Sequence, residues 1–326
     1  MSPLTVQYKE ANQSKITTDI YLPPNASSAN SPVLINIHGG AFMLGHSGMV
    51  SKPQIDDCLS RNWIVVVPNH RLCPGVNILD GPMTDCRDLL DWIYNGSLDT
   101  YLQTQKRPHR VDMDRVMAFG TSSGGMLALS LGYDVPRPPR AILNFYGAVH
   151  FTHPSWTTPL PHIQSKLPPL APGFIQAVYK EYPIPTNSSI SLEGQDQNEE
   201  ATAGANSAAP NFARPRDAFA FTQLANGTVL EACFPGERDV REIDPVERIG
   251  EGFPPTFIVH GGADRMVSIE VSWKLLEVLR ENEVECGMVE VPGEDHTFAM
   301  GMRVGSRTWE LQRQGFDFLE EVISRS

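Results

Sequence analysis

Residues 116–125 read VMAFGTSSGG, an apolar run followed by a turn rich in glycine and serine. The run ends at Phe119, and the next stretch, GMLALSLG, has the apolar spacing of a helix. In a GxSxG motif, a sharp turn from a buried strand into a helix presents the central serine as a nucleophile. The flanking glycines leave room for neighbouring chain because they lack a Cβ. The stretch therefore predicts a strand, a tight turn carrying Ser122, and a helix, although GxSxG alone could be an ordinary turn.

Short apolar runs of this kind alternate with helical patterns over most of the chain. Runs rich in β-branched residues and bounded by Gly or Pro occur at 33–37, 63–67, 116–119, 141–145 and 256–259. Apolar residues recur at helical spacing in 84–94, 269–279 and 309–323. Buried strands that alternate with helices predict an α/β protein, with a mostly parallel central sheet and helices on both faces.

The alternation is interrupted between residues 150 and 252, which are rich in Pro, Asn, Ser and Ala. We therefore predict one core domain formed by 1–149 and 253–326, with residues 150–252 as an inserted cap. Within the cap, the polar stretch near 194–209 is predicted to be a flexible loop. Short helices are predicted at 174–182 and 217–224.

Composition excludes several classes of protein. A formal net charge of −12 at pH 7, without any run of Lys and Arg, argues against a nucleic-acid partner. No 18 apolar residues run together and the first residues lack a signal-peptide pattern, so we expect a cytoplasmic protein without a membrane span. The five cysteines form no CxxC pair, which favours reduced thiols. The histidines show no metal-ligand spacing, so no metal site is expected.

A second glycine-rich motif, HGGAF at residues 38–42, directly follows the first of the apolar runs. Small residues there let backbone N–H groups approach a developing oxyanion, and an oxyanion loop is expected upstream of the nucleophile. Alone, the motif would be an ordinary turn from strand to loop, but it precedes GxSxG in the expected order. The residues predicted for the oxyanion hole are Gly39, Gly40, Ala41 and Ser123.

An acid and a base are expected further along the chain, each after a late strand. The apolar run 256–259 leads into a loop that ends at Asp264, and another apolar run leads into PGEDH, which ends at His296. An imidazole titrates near neutral pH and can accept the Ser122 proton, while a carboxylate fixes its tautomer. We therefore predict a catalytic triad of Ser122, Asp264 and His296.

Other titratable residues nearby are weaker candidates. Asp295 and Glu294 adjoin His296, but a carboxylate on the same loop is poorly placed to reach the far ring nitrogen, so both are predicted to be solvated. His260 ends a strand and is predicted to be a packed or hydrogen-bonded structural residue.

Together these motifs resemble those of the hormone-sensitive-lipase-like branch of the α/β hydrolases, esterases and lipases with an HGG loop and a GxSxGG elbow. RLCP at 71–74 looks like the YRLAPE segment of that family, and Asp85 with Trp92 looks like its D…W helix. The resemblance implies the α/β-hydrolase fold, no cofactor and an acyl-serine intermediate that water hydrolyses. The chain departs from the family by Ala41 in place of a third glycine and by Ser123 in place of alanine, and both changes keep the backbone N–H.

The predicted function is that of a serine hydrolase that cleaves a carboxylic ester of a small-molecule acyl substrate. One alternative is a dedicated metabolic or biosynthetic acyl hydrolase that acts on a thioester, lactone or formamide, because a triad does not distinguish acyl substrates. An alternative of another class is a non-catalytic ligand receptor on a hydrolase scaffold. A homodimer is expected only from the family resemblance.

Overall fold

The computed structural model describes residues 2–24, 30–189, 210–299 and 302–325, so the predicted flexible loop near 194–209 lies outside the described residues. The strands are β1 (Leu4–Ala11), β2 (Ser14–Tyr21), β3 (Ser31–Ile37), β4 (Ile64–Pro68), β5 (Val111–Thr121), β6 (Ile142–Phe145), β7 (Thr256–Gly261) and β8 (Cys286–Val291). The α-helices are α1 (Lys52–Ser60), α2 (Thr84–Tyr94), α3 (Ser97–Thr104), α4 (Ser123–Leu129), α5 (Pro161–Gln164), α6 (Pro215–Asn226), α7 (Val229–Cys233), α8 (Ile269–Glu281) and α9 (Arg307–Ser324). A π-helical turn covers Leu79–Met83, and 3₁₀ turns cover Ser130–Gly132, Pro154–Thr157, Ile175–Lys180, Val240–Glu242 and Pro245–Glu247.

The described strands form one eight-stranded sheet in the order β1-β2-β4-β3-β5-β6-β7-β8. Strands β1 and β2 pair antiparallel with each other, and β2 pairs antiparallel with β4. Every remaining pair is parallel. The predicted mostly parallel sheet is therefore confirmed, and two antiparallel strands extend its edge. Residues in β2 alternate between buried and more exposed positions, as expected for a strand with one face toward the core.

Both faces of the sheet are covered by helices. Side chains of a strand point alternately to opposite faces, so Ile35 and Leu34 of β3 enter different cores. The core around Ile35 includes residues of α2, α3, α4 and α8. The core around Leu34 includes residues of α1 and α9. The predicted three-layer α/β arrangement is confirmed.

The parallel strands bring the predicted triad residues together at their carboxyl-terminal ends. Ser122 directly follows β5, Asp264 follows β7 and His296 follows β8. Carboxyl ends of neighbouring parallel strands lie together, and in open α/β sheets this edge is where ligands bind. A helix begins next to two of these loops: α4 starts at Ser123, and α8 is capped by Ser268, whose hydroxyl accepts the backbone N–H of Glu270.

Two segments that carry the family resemblance, residues 71–74 and the helix α2, are joined by a buried ion pair between Arg71 and Asp85. The Asp85 carboxylate accepts the backbone N–H of Arg71 at 2.8 Å and its guanidinium at 2.7 Å. Lys9 of β1 donates to the same carboxylate at 2.6 Å. Asp85 is fully buried and Arg71 nearly so. Because an unpaired buried charge is costly, these contacts tie the antiparallel edge strand to α2.

The described residues of the predicted cap, 150–189 and 210–252, contain short helices and no strand. Asp244, near the end of this region, is fully buried, and its carboxylate accepts the N–H groups of His150 at 2.9 Å and Phe151 at 2.6 Å. The beginning and end of the region are therefore held together at the core. The domain boundaries at 149 and 253 stay a prediction.

The two helices predicted within this region have different outcomes. The pattern at 217–224 lies inside α6, which extends two residues beyond it at each end, from Pro215 to Asn226. At 174–182 the structure has only the 3₁₀ turn Ile175–Lys180. Pro172 and Pro183 flank this segment, and a run so short between prolines leaves little room for an α-helix.

Within the part of the chain that the structure describes, no helix has the length and apolar character needed to cross a bilayer. The same residues include no group of three or more His, Cys, Asp or Glu side chains that could hold a metal ion. The cytoplasmic location, the absence of a cofactor and the homodimer stay predictions.

Candidate active site

The structure brings together the three residues predicted for the triad. Ser122 Oγ lies 2.9 Å from His296 Nε2, and His296 Nδ1 lies 2.6 Å from Asp264 Oδ2. All three side chains are buried; those of His296 and Asp264 expose 4% and 0% of their surface. The imidazole therefore bridges a serine hydroxyl and a carboxylate in a site that largely excludes bulk water.

The backbone at Ser122 has the strained geometry expected of a nucleophile elbow. Its φ of 54° and ψ of −123° lie outside the regions that side-chain-bearing residues ordinarily adopt. The Ser122 N–H donates to the Phe145 carbonyl at 2.9 Å, and the Ser122 carbonyl accepts the Gly125 N–H at 2.9 Å. A Cβ at position 124 would overlap the carbonyl oxygen of Ile37. Glycine at 124 therefore lets α4 start close to the end of β3.

The loop predicted to supply the oxyanion hole is a tight turn at the end of β3. Gly40 has a φ of 123°, and a Cβ there would overlap the Leu44 carbonyl, so glycine is required. The Gly40 carbonyl accepts the N–H groups of Met43 at 3.0 Å and Leu44 at 2.9 Å. In the described part of the chain the N–H groups of Gly40 and Ala41 donate to no backbone acceptor. Ser123 is the first residue of α4, where an N–H has no acceptor within the helix.

The Asp264 carboxylate is surrounded by donors. Oδ1 accepts the N–H groups of Met266 at 2.8 Å and Val267 at 2.9 Å. Oδ2 lies 2.6 Å from His296 and 3.2 Å from Nε2 of His260. Burial by itself raises the pKa of Asp264, but the two imidazoles outweigh burial and hold this pKa well below its usual range. Asp264 is therefore a carboxylate at neutral pH, which keeps the hydrogen of His296 on Nδ1.

The two rival carboxylates, Asp295 and Glu294, accept hydrogen bonds from groups other than the imidazole ring. Asp295 accepts the backbone N–H of His296 at 2.8 Å and pairs with Arg265. Glu294 accepts the hydroxyl of Thr308 at 2.6 Å. These hydrogen bonds go to groups other than the ring, whereas Asp264 lies 2.6 Å from Nδ1 of His296.

Sequence reasoning did not identify Tyr146, which packs against His296. The two rings are 4.7 Å apart, and the Tyr146 side chain is fully buried directly after β6. Its ring also lies 6.3 Å from that of His260, in an edge-to-face arrangement. The available signal was its position directly after β6, at the end of the sheet that also carries Ser122 and His296. Tyr146 therefore limits the orientations that the His296 ring can adopt.

Arg216, on α6 in the predicted cap region, holds the loop that carries Gly40. Its guanidinium donates to the carbonyl of Met43 at 2.7 Å and to that of Cys73 at 2.8 Å. The side chain is 7% exposed and also pairs with Glu181. No local pattern indicates this contact, because it joins residues more than a hundred positions apart. The predicted cap region thus restrains the turn after β3.

Two buried histidines stack beneath the same loop. The rings of His38, which precedes Gly39, and His70 are 4.7 Å apart and nearly parallel, and Nδ1 of His38 donates to the Gly39 carbonyl at 2.7 Å. Burial lowers the pKa of His38 from 6.5 to about 3, and burial also lowers the pKa of His70. Both rings are therefore neutral at physiological pH.

These two pKa shifts predict that the fold begins to lose stability at a pH well above the range in which carboxylates titrate. Below pH 6.5 the unfolded chain takes up protons at both histidines, while folded His38 stays neutral down to a pH of about 3. The contribution of these two histidines to the free energy of unfolding is therefore fully present above pH 6.5. It falls as the pH drops, by up to about 1.4 kcal/mol per pH unit for each histidine. Urea unfolding at pH 7, 6 and 5 measures this slope.

The matched variants are His70→Gln, which should reduce the slope, and His162→Gln, at a partly exposed histidine, which should leave it nearly unchanged. A free energy of unfolding that is the same at pH 7 and pH 5 would contradict the prediction.

A mostly parallel eight-stranded sheet between two helical layers, with a strained serine after β5 that contacts a histidine after β8, is the α/β-hydrolase architecture. The chain has the α/β-hydrolase fold. A BD-FAE family model matches residues 18–138, a region that contains both glycine-rich motifs. The more specific resemblance to the hormone-sensitive-lipase-like branch stays a prediction.

Similar structures cover nearly the whole chain. Esterase 2 of Thermogutta terrifontis phosphorylated by paraoxon is 14% identical, with a TM-score of 0.61 over 99% of this chain and 94% of that one. A Staphylococcus aureus protein of unknown function is 19% identical, with a TM-score of 0.69 over 98% of this chain and 99% of that one. At these identities the likeness establishes the fold.

Curated relatives are far longer than this chain. The non-reducing polyketide synthase ausA of Aspergillus calidoustus is 29% identical over 358 aligned residues, which cover 98% of this chain and 14% of the synthase. The chain thus spans about one seventh of that relative. The likeness concerns one segment of a large protein.

Proposed function

We propose that this chain is a serine hydrolase that cleaves a carboxylic ester of a small-molecule substrate through an acyl-serine intermediate. The observation that carries the proposal is the continuous hydrogen-bonded line from Ser122 through His296 to Asp264. The esterase among the similar structures supports the same class of reaction.

In the first half of the reaction, Ser122 Oγ attacks the acyl carbon while His296 Nε2 takes the hydroxyl proton. A bond forms between Oγ and carbon, and the carbonyl electrons move onto the oxygen. The N–H groups of Gly40, Ala41 and Ser123 stabilise that oxyanion, each contributing about 3 kcal/mol. The intermediate then collapses, and the bond to the leaving oxygen breaks as His296 donates its proton to the alcohol.

In the second half, water hydrolyses the acyl-serine. His296 takes a proton from the water, whose oxygen bonds to the acyl carbon, and the same N–H groups stabilise the second oxyanion. When this intermediate collapses, the carboxylic acid leaves and Ser122 Oγ regains its proton. Asp264 stays ionised throughout and stabilises the imidazolium that forms in each half.

The test combines turnover with covalent labelling by paraoxon. We expect the protein to hydrolyse p-nitrophenyl butyrate and to lose this activity when paraoxon phosphorylates Ser122. Mass spectrometry of the peptide that contains residue 122 locates the adduct, and Ser122→Ala is the unlabelled control. An active protein whose adduct lies on another residue would overturn the assignment of the nucleophile, and a protein with neither turnover nor an adduct would overturn the proposal.

A thioester is the second candidate substrate, because curated relatives such as ausA are polyketide synthases by name. Attack by Ser122 is the same for an oxygen ester and a thioester; only the leaving atom differs. The butyryl thioester of N-acetylcysteamine and ethyl butyrate present the same acyl group, so their kcat/KM ratio compares the two leaving groups. The ratio of kcat/KM for the thioester to that for the ester is compared with the ratio of their rates of alkaline hydrolysis. An enzymatic ratio more than about a hundredfold larger would assign thioester cleavage.

A non-catalytic receptor on this scaffold remains the alternative of another class. A receptor has no need of a base aligned with the serine, so the 2.9 Å contact between His296 and Ser122 favours the enzyme. The two interpretations also differ in the paraoxon experiment, because an inert serine would not be phosphorylated.

A further inference from the structure

His260 is a fully buried histidine that contacts the acid of the proposed triad. It belongs to β7, and Asp264 lies four residues after it in the sequence. Nε2 of His260 lies 3.2 Å from Asp264 Oδ2, the oxygen that also faces His296. Both side chains have zero exposure. A second imidazole thus shares the carboxylate oxygen on which the orientation of His296 depends.

The other contacts of His260 determine which ring nitrogen carries the hydrogen. Nε2 lies 3.0 Å from the Val267 carbonyl as well as near Asp264, and both partners accept hydrogen bonds only. Nε2 is therefore protonated. Nδ1 lies 2.7 Å from Ser272 Oγ on α8, and a hydroxyl can donate to it. In the neutral tautomer the one hydrogen on Nε2 is shared between the Val267 carbonyl and Asp264 Oδ2, and Nδ1 accepts from Ser272.

With this tautomer the Asp264 carboxylate faces four N–H groups. Oδ1 accepts two backbone N–H groups from the loop that leads to α8, and Oδ2 accepts from His296. The Nε2–H of His260, which also faces the Val267 carbonyl, lies 3.2 Å from Oδ2. A carboxylate held by four donors has little freedom to rotate away from His296. Removing the Nε2–H of His260 would take away one of the two imidazole N–H groups that face Oδ2.

We propose that His260 is a positioning residue of the proposed reaction: its Nε2–H, oriented by Ser272, holds the Asp264 carboxylate in line with His296. The inference rests on the proposed serine-hydrolase function. It assigns His260 a role in kcat, beyond the packing role that a buried strand-end histidine would otherwise have.

The first test compares variants by kcat per active site, with active sites counted by paraoxon titration. His260→Asn removes the Nε2–H and should lower kcat roughly 10- to 100-fold, because small displacements of a catalytic group have effects of this size, while KM changes little. His260→Gln places an amide N–H near the lost donor and should recover much of kcat. Ser272→Ala, which only frees the ring to change tautomer, should lower kcat in the same direction by a smaller factor.

The matched control is His109→Asn. His109 is also buried and its Nε2 contacts the Pro23 carbonyl at 3.0 Å, but it precedes β5 at the end of the strand opposite Ser122. This variant should keep the wild-type kcat per active site. If His260→Asn behaved like this control, the inference would be wrong even though wild-type activity depends on Ser122.

The pH profile separates positioning from packing. Without the bond from His260, Oδ2 keeps more negative charge toward His296, so the acidic limb of kcat/KM should move to higher pH. The other charged groups around His296, Asp295 and its partner Arg265, are the same in every variant. A packing defect would lower the number of active sites that paraoxon labels but leave the acidic limb of kcat/KM at the wild-type pH. That result would count against the inference.

A spectroscopic readout does not require turnover. In ¹⁵N–¹H spectra of histidine-labelled protein, His260 should show a protonated Nε2 and an unprotonated Nδ1, with its signals assigned by their loss in His260→Asn. The low-field proton on Nδ1 of His296 should shift in that variant, and in Ser272→Ala if His260→Asn does not fold. A His260 ring protonated on Nδ1 alone would overturn the inference and leave the proposed function standing, whereas a wild type without Ser122-dependent turnover would overturn the proposed function and the inference with it.

Discussion

Ser122→Ala is expected to lower kcat for p-nitrophenyl butyrate by on the order of 10⁶-fold, because alanine has no hydroxyl that could form the acyl intermediate. The elbow itself should survive, since an alanine Cβ occupies the position of the serine Cβ at the same φ of 54°. The N–H groups of Gly40 and Ala41 stay in place, so the residual rate should still exceed that of water by about 10³- to 10⁴-fold. Initial rates, with the uncatalysed rate subtracted, give both factors.

The neighbouring serine supplies the matched control. In the proposed mechanism Ser123 contributes only its backbone N–H, which alanine retains, so Ser123→Ala should keep nearly all of the wild-type kcat. Circular dichroism and thermal unfolding verify that both variants are folded. Equal losses in the two variants would contradict the assignment of Ser122, since they would point to damage of the turn.

Asp264→Asn is expected to lower kcat by about 10⁴-fold by reversing the tautomer of His296. The backbone N–H groups of Met266 and Val267 require an acceptor, so the asparagine oxygen should face them and its amide NH₂ should face His296. Nδ1 of His296 must then accept a hydrogen bond, and the ring hydrogen moves to Nε2. A protonated Nε2 cannot take the proton of Ser122, although the site remains the same size.

Asp295→Asn is the matched control for this substitution. Asp295 is the adjacent carboxylate, and its Oδ1 accepts the backbone N–H of His296, a role that an amide oxygen can keep. Its kcat should stay within about tenfold of wild type. Rates at high pH distinguish the two, because hydroxide can partly replace the base in Asp264→Asn. A larger loss in Asp295→Asn than in Asp264→Asn would exchange the proposed roles of the two carboxylates.

Much of the fold could be predicted from local pattern. Five apolar runs predicted β3 to β7, and the structure has a strand at each, with ends that differ by a few residues. Hydrophobic runs of this kind are characteristic of strands buried on both faces. The edge strands β1 and β2 lack such runs because one of their faces is less buried, and their antiparallel pairing depends on contacts with β4 that the pattern does not encode.

The chemical groups of the site were also predictable, because each has a local signature. Ser122 lies in a glycine-rich turn after a strand, and Asp264 and His296 end loops that follow later strands. The carboxyl ends of neighbouring parallel strands lie side by side, so order along the chain was enough to group the three residues. The choice of Asp264 over Asp295 followed from the same geometry, and the contact of Asp264 with the ring nitrogen agrees with it.

The sequence by itself determined the α/β architecture and the order of the proposed nucleophile, acid and base, because strand burial, glycine-rich turns and chain order are local properties. Only the tertiary structure decided how these groups are held. Tyr146 against His296, Arg216 on the carbonyl of Met43 and His260 between Asp264 and Ser272 are contacts between different elements. Their distances and directions depend on how helices and loops pack across the sheet, and no spacing within a single segment specifies that packing.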